Sequence, residues 1–307
     1  MNRLRDQVAD YLGLRRALGY KLIEHERFLT QFLDYLDQTQ ATTITVENAL
    51  TWARLPANAN PTWHAARLSA VRGFAAWAHT LDPSIAVPPP GVLPLRTSRA
   101  TPYLYSQQQI HALIDAAAQL VPAQRAATFQ TLIGLLVVTG MRVGEVIRAD
   151  VADLDLPAGA LTVRGTKFGK SRRLPLHPSV VDAMGDYLRL RAQHSTVTTA
   201  LLVSTTGARL SYNPVYRTFK KLTTAAGIHP RSPICRPRLH DLRHTFAVNT
   251  LLEAYRGSAD PAARLPLLST YLGHTEPANT YWYLHAAPEL LALAVERLDA
   301  RWAPVMP

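Results

Sequence analysis

One cysteine, Cys235, is all that 307 residues contain. No disulfide framework can staple this chain, which therefore suits a reducing compartment, with the thiol either buried or incidental. Long apolar runs are also missing: the longest, residues 132–138, has Gly134 inside it and is far too short to span a bilayer. The opening stretch MNRLRDQVADYLGLRR mixes charges throughout and has no apolar segment of the signal-peptide kind. These absences predict a soluble intracellular protein. Acidic side chains are the third shortage. Lys plus Arg number 33 against 22 Asp plus Glu, a formal charge of +11, with an isoelectric point near 10.0. That balance favours a polyanionic partner, because each neutralised phosphate releases condensed counterions; a basic surface that only keeps the protein dissolved is the other reading.

What is present suffices for a substantial core. Hydrophobic residues make up 48% of the chain, which at this length allows one large domain or two ordinary ones. Residues 1–82 read as a compact helical domain, with Phe28, Phe32, Tyr35 and Leu36 on one stripe and Trp63, Ala66, Ala70, Phe74 and Trp77 on another. Asn60-Pro61 predicts the start of the second of these helices, since Asn can cap free amides and Pro fits the first turn. Its outward side is expected to carry His64, Arg67 and Arg72, either as an ordinary solvated face or as one that meets phosphates. Prolines 83, 88, 89, 90, 94 and 102 remove backbone donors and favour extended chain. Residues 83–102 are therefore read as a linker, whose Arg96 and Arg99 either touch a duplex or merely span.

Residues 103–307 read as a second domain. Ser106 and Gln109 form a capping-box pattern ahead of Ile110, Leu113, Ile114 and Ala117. The run TLIGLLVV predicts a buried helix stopping at Thr139-Gly140, and residues 141–145 open another short helical segment. Beta-like runs at 161–164 and 173–176 flank a Gly-containing turn, the pattern of a hairpin. Helical periodicity returns at Tyr212, Val215, Phe219 and Leu222 and over 240–254. The expected fold class is mainly α with a small β-sheet or hairpin (α+β).

Five short segments carry the chemistry: TGMRVGE around Arg142, RGTKFGKSRRLPL around Lys167, LHDLRHTFA with His240 and Arg243, YLGH ending at His274, and NTYWY ending at Tyr283. Together they resemble the tyrosine recombinase family, of the phage-integrase and Xer type. The resemblance covers essentially the whole chain. It is specific because an Arg, a hairpin Lys, a His-x-x-Arg, a Leu-Gly-His and a Tyr nine residues later (283 − 274 = 9) rarely coincide in that order. It implies a helical N-terminal core-binding domain followed by a mixed catalytic domain with a helical tail. It also implies cleavage and rejoining of DNA strands through a 3′-phosphotyrosyl intermediate, without metal, ATP or any other cofactor.

The residue types suit that reaction. Attack on a phosphodiester concentrates negative charge on nonbridging oxygens, and guanidinium forks such as Arg142 and Arg243 answer it with paired hydrogen bonds. Tyr283 resembles the nucleophile; a phenol with a pKa near 10 must be relieved of its proton, for which His240 is the candidate base, with a phosphate hydrogen bond as its second possible role. Lys167 resembles the general acid for the departing 5′ oxygen, with Lys170 as the competitor on the same turn. His274 resembles a residue that hydrogen-bonds the scissile phosphate. Glu145 and Asp241 are read as orienting Arg142 and its neighbours, and His244 and His285 as structural. His240 and His244 also stand at the i, i+4 spacing that can bind zinc, but no third ligand is placed and Arg243 would set a cation beside the metal.

The partner implied is double-stranded DNA, with a homotetramer on two DNA sites and a monomer or dimer when free. Backbone-contact candidates are Arg67, Arg72, Arg96, Arg99, Lys170, Arg172, Arg217, Lys220 and Lys221. Leu291, Val295, Leu298 and Trp302 form a tail stripe that docks either on a neighbouring protomer or on its own domain. Residues 255–266 are longer and more polar than the family's usual link before Leu-Gly-His. The pattern looks most like recombinases of bacterial mobile elements, acting in the cytoplasm on the nucleoid. A type IB topoisomerase-like relaxing enzyme and a DNA-binding protein that has lost catalysis are the alternatives.

Overall fold

A computed structural model describes residues 2–93, 101–165, 171–194, 196–257, 260–274, 280–281 and 288–302. The chain divides into two compact units, Met1–Arg99 and Ala100–Pro307. The first holds α1 (Asn2–Ala17), α2 (Ile23–Gln38), α3 (Val46–Arg54) and α4 (Pro61–Ala78). Local signals fix their starts. The Thr45 and Asn48 side chains cap each other's amides ahead of α3, and the Asn60 side chain accepts from Thr62 N at 2.9 Å with Pro61 in the first turn. Phe28, Phe32 and Leu36 of α2, Trp52 of α3, and Leu68, Val71 and Phe74 of α4 close over one core.

Arg67 is a correction. It does not lie on the outward face of α4 as a phosphate contact; it is 5% exposed. Its guanidinium lies 3.7 Å from the Trp52 ring centroid and 4.5 Å from that of Trp63, and it donates to Trp52 O at 2.9 Å. Burial, then the charge of Arg27, brings its pKa down to about 10. The position falls between the two apolar stripes, and stacking on indole faces satisfies a guanidinium where a lysine would need water. Arg72 is half-buried and donates to Pro89 O at 3.2 Å. The Pro-rich segment is not free chain over 83–93: Ile85 and Leu93 are buried in the first core, and Ala86 N donates to Ile44 O at 2.8 Å. Apolar residues between the prolines supply the packing that proline density alone does not reveal.

The second unit runs α5 (Gln107–Ala118), α6 (Ala123–Thr139), α7 (Val143–Arg148), β1 (Leu154–Asp155), β2 (Ala160–Val163), β3 (Arg172–Pro175), α8 (Pro178–Ala192), α9 (Tyr212–Ala225), α10 (Leu239–Arg256), α11 (Pro261–Leu272) and α12 (Pro288–Trp302). The three strands form an antiparallel sheet in sequence order, with Leu161 opposite Leu174 and Val163 opposite Arg172. Alternation turns Leu161, Val163 and Leu174 into the core, where they meet Leu132 and Leu136 of α6, Val146 of α7, Phe219 of α9 and Leu242 of α10. Helix α6 is apolar on nearly all sides because α5, α8 and α10 surround it.

A second cluster joins Val248 and Leu251 of α10, Leu268 and Leu272 of α11, and Leu290 of α12. Among the described residues the tail packs on its own chain through Leu290 and Leu293, and not through Leu291 or Val295 of the stripe read from the sequence. Leu291 and Val295 are 49% and 54% exposed, and the side chains of Leu298 and Trp302 lie outside the described residues. Apolar residues on adjacent positions of α12 permit either register, so periodicity alone could not choose. Most of the long polar stretch before Leu-Gly-His is helix: Asp260 caps α11 by accepting from Ala262 N at 2.9 Å, and Pro266 lies inside it.

Arg67→Ala is expected to lower the stability of the first unit by about 2 kcal/mol, from the lost stacking and the void between two indoles. Urea unfolding followed by tryptophan fluorescence reads this. The salt slope of duplex binding, measured well below the midpoint, should not change, because the buried guanidinium displaces no counterion; a reduced slope would return Arg67 to the list of phosphate contacts.

Candidate active site

Helix α6 stops at Gly140, whose φ of 58° is left-handed. A Cβ there would run into the Phe246 ring, so the turn requires glycine. The chain then extends through Arg142, which precedes α7 in the N-cap position. Glu145, one turn into α7, reaches back to accept from Arg142 N at 2.9 Å and from Arg142 Nη1 at 2.8 Å. Arg172, at the start of β3, grips the same carboxylate with two bonds, Nη2 to Oε2 at 2.7 Å and Nη1 to Oε1 at 3.2 Å. Burial alone would raise the Glu145 pKa; the bonds from Arg172 and the Arg142 amide, with the adjoining cations, overcome it and bring it down to about 2. Two guanidiniums on one carboxylate leave a net positive charge. It is presented mainly by Arg142, whose side chain is 40% exposed against 13% for Arg172.

Helix α10 supplies the other half. Its start is fixed by Asp241, fully buried, which accepts from Arg238 N and twice from the Arg238 guanidinium. His240 lies in the first turn, and Arg243 and His244 lie one turn further on. Arg243 is 1% exposed. It donates to Gly140 O at 2.8 Å and to Leu272 O at 2.7 Å, carbonyls at the C-terminal ends of α6 and α11. Such carbonyls lack a partner within their own helix and carry the negative end of its dipole, so they hold a cation without cancelling its charge. Arg243 Nη2 also lies 2.9 Å from His274 Nε2, and Arg142 Nη2 reaches Gly273 O at 3.4 Å. Both guanidiniums therefore converge on the turn 272–274, where Gly273 takes a left-handed φ of 69°. His274 Nδ1 is 2.7 Å from Thr280 Oγ1.

The cations keep the histidines neutral. The imidazole of His274 falls to about 4 through burial and then the charges of Arg243, Arg142, His240 and Arg172. His240 falls to about 4 through burial, Arg243 and Arg142, while its outer edge is exposed. His244, its ring 4.9 Å from that of His240 and nearly perpendicular to it, falls to about 3. A neutral imidazole can take a proton, and an arriving phosphate anion raises its readiness to hold one. Among the described residues no group of three His, Cys, Asp or Glu side chains is placed to hold a metal.

Arg142, His240, Arg243 and His274 are thus brought together. Lys167, Lys170, Tyr283, His285, Arg96 and Arg99 lie outside the described residues. Arg172 is a correction, since its guanidinium is spent on Glu145 and not offered to a duplex. Arg217, Lys220 and Lys221 are exposed on α9, beside Tyr212 and Tyr216, whose rings stack at 6.3 Å. Asp241 orients Arg238 rather than Arg142. Thr280, 0% exposed, was given no role by sequence reasoning although it stands inside NTYWY.

The model of the phage integrase family matches residues 104–289. The chain belongs to the phage integrase family. Within that family it is 44% identical to the integrase/recombinase y4rB of Sinorhizobium fredii, over 98% of this chain and 99% of that one. It is 29% identical to the tyrosine recombinase XerC of Azotobacter vinelandii, over 76% of this chain and 73% of the relative. The fold is shared with the integrase of transposon Tn1549 in complex with transposon right-end DNA, at a TM-score of 0.64 and 17% identity over 94% of this chain and 98% of that one. It is also shared with XerA recombinase, at a TM-score of 0.51 and 23% identity over 99% of both chains. This tyrosine recombinase is accordingly mainly helical with a small sheet, as its sequence predicts.

Glu145→Gln removes the charge that holds two guanidiniums. Breaking this buried network should cost about 3 kcal/mol of stability and, below the melting temperature, slow single-turnover strand cleavage by roughly tenfold or more; unchanged cleavage would detach Glu145 from the site. Acid stability gives a second check. His240, His244 and His274 have folded pKa values below the unfolded value, so the unfolded chain binds more protons and stability falls as pH drops from about 6.5 towards 4. The Glu145 contribution is lost only below about 4.5. In a pH series of melting temperatures, His244→Gln should flatten the decline in the upper window.

Proposed function

We propose that this tyrosine recombinase is a site-specific integrase that cleaves and rejoins DNA strands through a phenol–phosphate ester. The observation that carries the reading is the convergence of Arg142, Arg243, His240 and His274 around one turn, shortly before the segment bearing Tyr283. Tyr283 attacks phosphorus and loses its proton to neutral His240. The P–O5′ bond breaks, Lys167 protonates the departing oxygen, and a 3′-phosphotyrosyl linkage forms. The linkage conserves the energy of the broken bond, so the reverse attack by a 5′ hydroxyl rejoins a strand without ATP. Charge growing on the nonbridging oxygens is met by the Arg142 and Arg243 guanidiniums, with His274 donating alongside, so the chemistry is written without a metal.

The helical region 1–82 and the catalytic region 103–307, joined through 83–102, both hold the duplex through its backbone. Arg72, Arg96, Arg99, Lys170, Arg217, Lys220 and Lys221 are the contacts assigned to that task. Strand exchange needs four cleavable strands, hence a homotetramer on two sites assembled from monomers or dimers. Family membership and the similarity to integrase/recombinases favour exchange over simple relaxation and over a catalytically dead DNA-binding protein. The protein is read as encoded by a bacterial mobile element and acting on the nucleoid in the cytoplasm, a reading with which the fold shared with a transposon integrase agrees. No helix among the described residues is long and apolar enough to cross a membrane.

Wild-type protein and Tyr283→Phe, incubated in EDTA with fragmented bacterial DNA and then denatured, separate the readings. Wild type is expected to retain covalently joined fragments sharing one cleavage position, and the variant none. Equal capture by both proteins would remove Tyr283 from its role, and loss of capture in EDTA would restore a metal-dependent reading.

A further inference from the structure

We propose that Thr280 is a positioning residue whose hydroxyl sets which ring nitrogen of His274 carries the proton and lets that choice reverse when a phosphate arrives. The inference rests on the reading of His274 as a phosphate donor. Thr280 Oγ1 lies 2.7 Å from His274 Nδ1, its residue 0% exposed, while Arg243 Nη2 lies 2.9 Å from Nε2. A guanidinium can only donate, so Nε2 accepts from it. In a neutral imidazole the proton then sits on Nδ1, and the Thr280 oxygen accepts it.

That tautomer has no N–H at Nε2 for a phosphate. Once a nonbridging oxygen draws the Arg243 hydrogens, the Arg243 bond no longer holds Nε2 as an acceptor, and Nε2 can carry the proton. Nδ1 releases its proton to water, Nε2 takes one from water, and the ring's charge does not change. Nδ1 has then become an acceptor, and its partner must donate. A hydroxyl does both by rotating about its C–O bond, whereas a carboxylate only accepts and an ammonium only donates. Among the described residues, the charged and titratable groups facing the ring are Arg142 ahead of α7, His240, Arg243 and His244 of α10, and Arg172 of β3. This cationic set opposes the alternative of charging the imidazole. Thr280 also stands three positions before Tyr283 in the sequence. The same hydroxyl thus ties the phosphate contact to the nucleophile's stretch of chain.

Thr280→Val keeps the shape and removes the hydroxyl; Thr280→Ser keeps the hydroxyl. Both are made in the full chain and assayed with a duplex taken from the covalent-capture experiment, nicked so that cleavage is irreversible. Val is expected to slow single-turnover cleavage by about tenfold or more and to displace its pH profile, with duplex affinity retained, and Ser to restore most of the rate. A Val variant that cleaves like wild type, or a Ser variant no better than Val, overturns the proposal. Nitrogen-15 spectra of the histidine rings in Tyr283→Phe protein supply a readout that needs neither cleavage nor a folded Val variant. His274 should be protonated on Nδ1 without DNA and on Nε2 with the duplex, and a proton that stays on Nδ1 overturns the proposal. Covalent capture by Tyr283→Phe would instead overturn the underlying functional reading and leave the spectra unaffected.

Discussion

Arg243 sits where the carbonyl ends of α6 and α11 point at the same guanidinium, and the other parts of the site are placed relative to that contact. A buried cation is expensive to desolvate, so its position is tightly specified by whatever accepts from it. Here the acceptors are backbone atoms at two helix ends, which side-chain motion cannot withdraw. Gly140 makes the first available by ending α6 in a left-handed turn, and Gly273 ends α11 in the same way. Through this arrangement residues far apart in sequence, from 140 to 274, share one small volume without any of them being on a long loop.

Glu145 does for Arg142 what the helix ends do for Arg243, by a different route. Its carboxylate is almost fully buried and held well on the ionised side by two guanidiniums. One of them, Arg172, comes from β3. Movement of β3 is therefore felt at Arg142 through two short ion pairs, and a site assembled from a helix start and a sheet edge behaves as one electrostatic unit.

Much of this was legible beforehand, and the reasons differ by element. Capping residues at Asn60 and Ser106 announced α4 and α5 because the signal lies within four residues of the effect. The grouping of Arg142, His240, Arg243 and His274 was readable only through their spacing in known motifs, since no local rule brings residues 142 and 243 together. Arg67 and Arg172 were misread as surface cations because charge counts say nothing about which arginines find indole faces or a carboxylate. The tail register failed for another reason: α12 has apolar side chains on adjacent positions, and only the opposing surface of α10 selects Leu290 over Leu291. Thr280 carried no charge and no motif of its own, so its part emerges from geometry alone.

The indole-sandwiched Arg67 bears on how the whole charge of +11 should be understood. Its cation is shielded from direct contact by protein on both sides, yet its field extends outward with no acid among its described hydrogen-bond partners to cancel it. Such a charge draws a polyanion from a distance without ever touching it, and it displaces no counterion on arrival. Attraction during approach and grip after docking are then governed by overlapping but unequal sets of arginines and lysines, so the two can be tuned separately in this chain.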